Sequence, residues 1–523
     1  MQSKTKFYLS TSIAYTSGIP HVGNVYEVIL ADAIARFKRL DGYDVFFQTG
    51  TDEHGQKIEQ KASLQAIPPQ LYVNHVSLEI KRIYDLMQIS YDHFIKTTNQ
   101  NHQKAVQSIF DKLWQQGDIY LGQYQGLYSV AEEAYVSEKD LVDGKTFNGE
   151  TPILISEATY FFKLSKYQNR LLNYLKNNPN LIKPETQRKE LLNLLKEPLN
   201  DLSISRTSFK WGIPVPFDKK HVIYVWIDAL SNYLTGLGYH PNQNPSKQFI
   251  HYWPCDLHVI GKDILRFHLI YWPILLMALK IELPKQFLAH PWILFDKNKM
   301  SKSKGNVLYI DDLLKFFPID TIRYFVLHEI PYASDGNITY ELLVERHNSD
   351  LVNLFGNVVH RIFGMIKSYR DYQLTQVLVV PKNHQDFDLS QKVLSVLPLV
   401  RQKIKASKVG ESLEEVEKLA RFINKYIDLV KPWKLAQLPE KKTLLDYVLY
   451  SLTETLRFLG VLLKPFLPQT AEKILYQIKA QDVTFESLNT FGLLPSQKLI
   501  PDEMLFQRID LETVLSNTNT TNH

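Results

Sequence analysis

The 523-residue chain has a single cysteine, Cys255. One thiol excludes an intramolecular disulfide and any zinc or iron–sulfur site built on several cysteines, and it points to a reducing compartment, the cytoplasm. No stretch approaches the ~20 consecutive apolar residues that a membrane-spanning helix needs. The opening MQSKTKFYLSTS lacks the apolar core and small-residue cleavage site of a secretory or transit leader, so none is expected. Neither charge is in large excess: 60 Lys and Arg against 55 Asp and Glu give +5. That balance permits a local nucleic-acid patch without arguing for one. What the chain does contain, 45% hydrophobic and 22% charged residues, excludes a wholly disordered or fibrous protein. At roughly 100–200 residues per domain, the length suggests about three domains. Seven Trp, 29 Tyr and 27 Phe supply core volume and stacking platforms.

The first hundred residues read as α/β. Lys6–Thr11 is a short β-rich run, the loop SIAYTSGIPHVGN follows, and Val25, Val28, Ile29, Ala33 and Phe37 then recur at helical spacing up to Gly42. Asp44–Thr49 is a second strand, before the loop GTDEHG. Strand, helix, strand is a βαβ unit, which implies a parallel sheet whose ligands sit at the carboxyl ends of the strands. The fold class is therefore a Rossmann-like doubly wound sheet, over 1–117, resuming over 216–340 with HVIYVWI, LHVI and QFLA. The stretch 118–215, with short β-like pieces and turns, reads as an inserted domain. After 340 strands largely stop. Leu413, Val416, Ala420, Ile423 and Ile427, and Leu452, Leu456, Leu459 and Leu463, step at helical spacing, so 341–510 reads as an α-helical bundle. The segment 371–388 reads as a linker or exposed loop, and the tail 511–523 as disordered.

Two loops carry chemistry. His21-Val22-Gly23-Asn24 falls at the strand-to-helix turn, where unpaired N–H groups and the positive end of the helix dipole suit a phosphate. Gly23 lets a nucleotide approach the backbone, and His21 and Asn24 offer donors to charge growing on phosphorus; an ordinary helix start is the bland alternative. Lys299-Met300-Ser301-Lys302-Ser303 lies in DKNKMSKSKGN, a loop with lysines 297, 299, 302 and 304. Such a loop closes on a polyphosphate and neutralises its leaving charge; a solvated basic loop is the alternative.

HVGN followed by KMSKS on an α/β chain resembles the two signatures of the class I aminoacyl-tRNA synthetases, the first of which more often reads HIGH. SIAYTSGIPHVGN, QTGTDEHGQKI, YVWIDALSNYL and HVIGKDILRFHLIYWP look like the methionyl members of that class, from about residue 5 to 480. The resemblance implies His21, Asn24, Lys299 and Lys302 as the catalytic set, and Gly23, Gly261, Lys262, Asp263 and Lys302 on ATP. It implies a methionine pocket of Ile13, Ala14, Tyr15, Trp226, Ala229, Tyr233, Ile264 and His268, with Asp52 on the substrate ammonium group. The chemistry agrees: a soft thioether favours aromatic edges, and an ammonium beside apolar walls needs a carboxylate. Gly261-Lys262-Asp263 follows a strand, where Gly261 admits the adenosine and Asp263 takes ribose hydroxyls. Arg206 resembles an arginine near the signature loop.

Asn357 and Arg361 share a helix face at i, i+4, and Trp433 follows a helix-interrupting Lys431-Pro432. By resemblance these read a CAU anticodon, the tryptophan stacking a loop base, as proteins read single-stranded RNA. A helix-junction plug is the alternative for Trp433.

The implied reaction is ATP-dependent activation of methionine and its transfer to the 3′ end of tRNA(Met), with Mg²⁺ entering with ATP, in a monomer. Isoleucyl, leucyl and valyl relatives carry a larger editing insertion than the ~100 residues here. A cysteinyl relative needs zinc thiolates that Cys255 alone cannot supply. Two readings from other classes stand beside it: a non-catalytic RNA-binding relative, which would dispense with His21, Lys302 and the pocket aromatics, and a ligase using a small acceptor, which would dispense with Asn357, Arg361 and Trp433. No structural zinc is expected. Ser129 and Glu132 stand where a Cys-x-x-Cys knuckle would fall, and 118–157 contains neither Cys nor His. Glu132, Glu133 and Asp143 remain, but a carboxylate-only site suits Mg²⁺ or Ca²⁺. Ordinary packing by Leu127, Tyr128 and Tyr135 is expected there instead.

Overall fold

The segment DVFFQTGTD is buried along all but its first residue, as a strand covered on both faces by helices must be. It is the interior strand β3 (Asp44–Asp52) of a parallel sheet, in a computed structural model that describes residues 4–129, 134–136, 141, 143–146, 149–300, 306–381, 388–501 and 503–520. The other strands are β1 (Lys6–Thr11), β2 (Ala14–Tyr15), β4 (His93–Lys96), β5 (Ile182–Lys183), β6 (Leu257–Gly261) and β7 (Phe287–His290). The seven strands run in the order β2–β3–β1–β6–β7–β5, with β4 also paired to β3. Leu9 lies opposite Phe47 on one side and Leu257 on the other. Only glycine fits at position 50, where a Cβ would stand 2.0 Å from the Ile95 carbonyl oxygen of β4. Helices α1 (Val22–Leu40), α2 (Gln100–Gln115), α3 (Val225–Thr235) and α4 (Trp272–Leu279) supply much of the cover. One continuous core joins Phe110, Tyr233, Trp272 and Phe287.

The chain divides into two compact units, one over 1–31 and 44–290, the other over 32–43 and 291–523. Helix α1 contributes to both. In the second unit, its Asp32 carboxylate meets Arg36 at 2.8 Å and the fully buried Arg323 at 2.7 Å, while Phe37 packs on Phe485 at 4.9 Å. This unit opens with a small sheet in which Ile293–Phe295 pairs with Asn298–Lys299 and Gly336–Ile338. Helices follow, among them α5 (Ile319–His328), α6 (Asn357–Arg370), α7 (Val409–Val430), α8 (Pro432–Leu435) and α9 (Lys442–Leu463). Helix α9 is buried nearly all round, including the Arg457–Glu454 pair at 2.6 Å, as a central bundle helix must be.

Four expectations need correction. The stretch 118–215 is not a single inserted body. Ile119–Ser129, Ile153–Phe162, Ala134–Val136 and Leu202–Ser203 form a separate antiparallel sheet, but β5 returns to pair with β7, because Leu181 and Ile182 are apolar enough to join the main core. The division between units falls at His290–Pro291 rather than at 340, because Trp292 and Gly336 join in the second unit's sheet. The expected linker 371–388 is partly packed: Gln373–Leu374 pairs with Gln497–Lys498, and Leu374 is buried; 382–387 lie outside the described residues. The tail expected to be disordered forms helix α10 (Leu511–Thr520). Asp510 caps it, accepting from the Thr513 N–H at 2.8 Å and hydroxyl at 2.7 Å, and Val514 is buried, the combination of cap and apolar anchor that a short helix requires. At the expected packing site, Tyr128 is buried and the Ser129 hydroxyl donates to Glu150; Glu132, Glu133 and the side chain of Tyr135 lie outside the described residues.

Candidate active site

Parallel neighbours β1, β3, β6 and β7 end at Thr11, Asp52, Gly261 and His290, and the segments beyond the ends of β1 and β6 hold Ile13, His21, Gly23, Asn24, Lys262, Asp263, Ile264 and His268. Helix α1 begins directly after His21. The Gly23 N–H donates to His21 Nδ1 at 3.1 Å, so the imidazole proton sits on Nε2. The His21 N–H donates to Asn24 Oδ1 at 3.2 Å, a reciprocal capping arrangement that fixes both side chains at the helix N-terminus. One turn further, Glu27 accepts from the Ser12 N–H at 2.6 Å and hydroxyl at 2.5 Å, and from His290 Nε2 at 2.9 Å. It ties the helix start to the ends of β1 and β7.

Gly261 pairs with His290 across the sheet. A Cβ at Gly261 would stand 2.6 Å from Asp263 Oδ1, so the missing side chain is what lets the Asp263 carboxylate turn back over the strand end. Lys262, Asp263 and Ile264 form a single tight turn.

The residues expected to line an amino-acid pocket fall in two groups. Tyr15 bridges Asp52 across β2 and β3, and the Asp52 carbonyl accepts from the Thr16 N–H and hydroxyl, both at 3.0 Å. Tyr15 packs on the cluster around Ile58 and Tyr72. Ile13 and Trp226 pack on the other cluster, which includes Ala229 and Tyr233. Trp226 stacks on Phe267 at 3.5 Å and 6°. Tyr233 donates its hydroxyl to His268 Nε2 at 2.7 Å, and His268 Nδ1 donates to the Ile264 carbonyl at 3.0 Å. Burial holds the His268 pKa down to about 4, so this imidazole is neutral at physiological pH.

In the second unit, Lys299 Nζ lies over the Trp292 ring at 4.1 Å. Lys302, Ser303 and Gly305 lie outside the described residues. Asn357 and Arg361 do share a face of α6, and Asn424 on α7 accepts from both, at 3.4 and 3.1 Å. Arg361 Nη2 also meets Asp428 at 2.5 Å. Trp433 is 40% exposed on α8. Arg206 is buried instead among Ser203, Tyr224 and Tyr128 of the first unit.

Sequence reasoning passed over Glu27, His290, Phe267 and a buried carboxylate at Asp228. Glu27 lies one turn beyond Gly23 on the same helix face, which was the available signal; His290 carries none, because its partner is 263 residues away.

Comparison with known proteins places the chain in a family. The family model described as tRNA synthetases class I (M) matches residues 7–146 and 137–363. The methionine–tRNA ligase of Clostridium acetobutylicum is 47% identical over 522 residues, covering 99% of this chain and 80% of the relative. That of Bacillus subtilis is 42% identical, covering 98% and 79%. Among solved structures, Mycobacterium tuberculosis methionyl-tRNA synthetase in complex with methionyl-adenylate superposes with a TM-score of 0.91 at 38% identity, covering 96% of this chain and 100% of that one. The chain therefore belongs to the class I aminoacyl-tRNA synthetases, and within that class to the methionine family. No helix among the described residues is long and apolar enough to cross a membrane, and none of their His, Cys, Asp and Glu groups is arranged to hold a metal ion.

Proposed function

We propose that the chain is a methionine–tRNA ligase that uses ATP to make methionyl-adenylate and then charges tRNA(Met). The reading is carried by the near-full-length match to relatives of that name, on a chain with a buried aspartate, Asp52, whose backbone pairs with Tyr15 at the end of the sheet. Asp52 takes the substrate ammonium group, and the walls around Trp226 and Tyr233 take the thioether. The methionine carboxylate attacks the α-phosphorus of ATP in line, a new P–O bond forms, and magnesium pyrophosphate leaves. Magnesium enters with ATP as part of that substrate. His21 presents its Nε2 proton to the phosphates beside the α1 N-terminus, Asn24 supplies an amide donor, Gly261 and Asp263 hold the adenosine, and Lys262, Lys299 and Lys302 offset the growing negative charge. A terminal ribose hydroxyl of tRNA then attacks the adenylate carbonyl and AMP leaves. No side-chain nucleophile takes part, so catalysis is positioning and charge stabilisation. Asn357, Arg361 and Trp433 read the CAU anticodon. The protein works as a cytoplasmic monomer without structural zinc. Pyrophosphate exchange with each of the twenty amino acids tests the core of this reading: methionine alone should support it at low concentration, and exchange with another amino acid but not methionine would overturn it.

A further inference from the structure

Asp228 is completely buried, yet it carries no part of the chemistry above. Its two oxygens face two imidazoles: Oδ2 meets His54 Nδ1 at 2.6 Å, and Oδ1 meets His102 Nε2 at 2.6 Å. A carboxylate only accepts, so both rings donate, and the tautomers are fixed. The far nitrogen of His102 faces the Thr235 hydroxyl at 2.6 Å, on the last turn of the helix that carries Asp228 itself. Burial would raise the Asp228 pKa, but the facing His54 and His102 hold it low, so it is charged. Such a group gives little net stability, since apolar side chains of equal volume commonly pack at no loss. Its place in the fold gives it another use. His54 follows two residues after Asp52, at the end of β3. Asp228 lies two residues after Trp226 and directly before Ala229 on α3. Glu53, between Asp52 and His54, is pinned on both sides: its N–H donates to the Thr97 hydroxyl at 2.9 Å, and its carbonyl accepts from Trp211 Nε1 at 2.6 Å.

We propose that Asp228 is a positioning residue. By accepting from His54 and His102 it fixes the strand end carrying Asp52 against the helix carrying Trp226, Ala229 and Tyr233, and so sets the affinity for the amino-acid substrate. The proposal rests on the methionine reading of those residues. Its atoms do not touch the substrate; it acts by holding the ammonium partner and the side-chain wall at one spacing.

Three variants of the full chain test it by pyrophosphate exchange. Asp228→Asn removes the charge, and His54→Leu keeps volume but removes the donor. Both should raise KM for methionine about tenfold, the size expected for loss of one charged hydrogen bond, with KM for ATP within twofold. His54→Asn keeps an N–H where Nδ1 stood and should hold KM for methionine within about threefold of the parent. If Asp228→Asn does not fold, the His54 pair decides. An unchanged KM for methionine in a folded Asp228→Asn, equal impairment of His54→Asn and His54→Leu, or an equal rise in KM for ATP with a lowered Tm would each overturn it. Failure of the methionine reading looks different: the parent itself would then show no methionine-dependent exchange.

Discussion

A single methyl group at position 261 examines the nucleotide side of the site. The Cβ of Gly261→Ala would stand 2.6 Å from Asp263 Oδ1, well inside van der Waals contact, so the carboxylate must swing away. If Asp263 takes the ribose hydroxyls, KM for ATP should rise about tenfold, on the scale of one lost charged hydrogen bond, while KM for methionine stays near the parent value. Exchange kinetics with each substrate varied in turn check this, and an unchanged KM for ATP removes Asp263 from the nucleotide site. Gly261 was legible in the sequence because a glycine at a strand end admits a ligand or a turning side chain. Which of the two it admits here was not legible, because that depends on where Asp263 folds back.

At the scale of elements, short-range patterns were readable and long-range pairings were not. Strands β1, β3, β6 and β7 and the helix carrying Asn357 and Arg361 follow from apolar runs and spacing. Helix α10 was missed because its cap, Asp510, and anchor, Val514, are weak signals beside a polar tail. The return of β5 to the sheet was missed because two residues carry no periodicity. The junction of α5 and α7 was equally hidden, and it makes a prediction. His328, at the end of α5, meets Glu329 at 2.8 Å and Glu417 of α7 at 3.1 Å. Burial would lower its pKa, but hydrogen bonds to those carboxylates raise it to about 10. A histidine raised in the folded state stabilises fully below its unfolded value of about 6.5, and that stability is lost as pH rises through the folded value. Thermal unfolding of the full chain should therefore show Tm falling between pH 7 and 10. His328→Gln should start lower at pH 6.5, by roughly 2–4 °C for each kcal/mol lost, and stay flatter as pH rises. An equal alkaline slope in both proteins would mean that this pair does not report on the junction.

For the molecule as a whole, the two half-reactions separate the two sets of candidate residues. Lys302, in the signature loop, is expected to act in the transition state of activation, so Lys302→Ala should lower the exchange rate by roughly 100-fold or more, as loss of a transition-state charge partner does. Near-normal exchange in that variant would leave the loop as a solvated basic segment. Trp433 gives the opposite pattern. It stands 40% exposed on α8, just beyond α7, whose Asn424 accepts from Asn357 and Arg361. A half-exposed indole contributes little to a core, so Trp433→Ala should change stability by no more than about 1 kcal/mol. Stacking a base is worth roughly 1–3 kcal/mol, which converts to about a 5- to 150-fold rise in KM for tRNA. Methionine-dependent pyrophosphate exchange needs no tRNA and should stay at the parent rate. The measurement is aminoacylation of a tRNA with a CAU anticodon beside exchange, on the same preparation. A fall confined to aminoacylation assigns Trp433 to the RNA; a parallel fall in both, with a lowered Tm, would return it to packing despite its exposure.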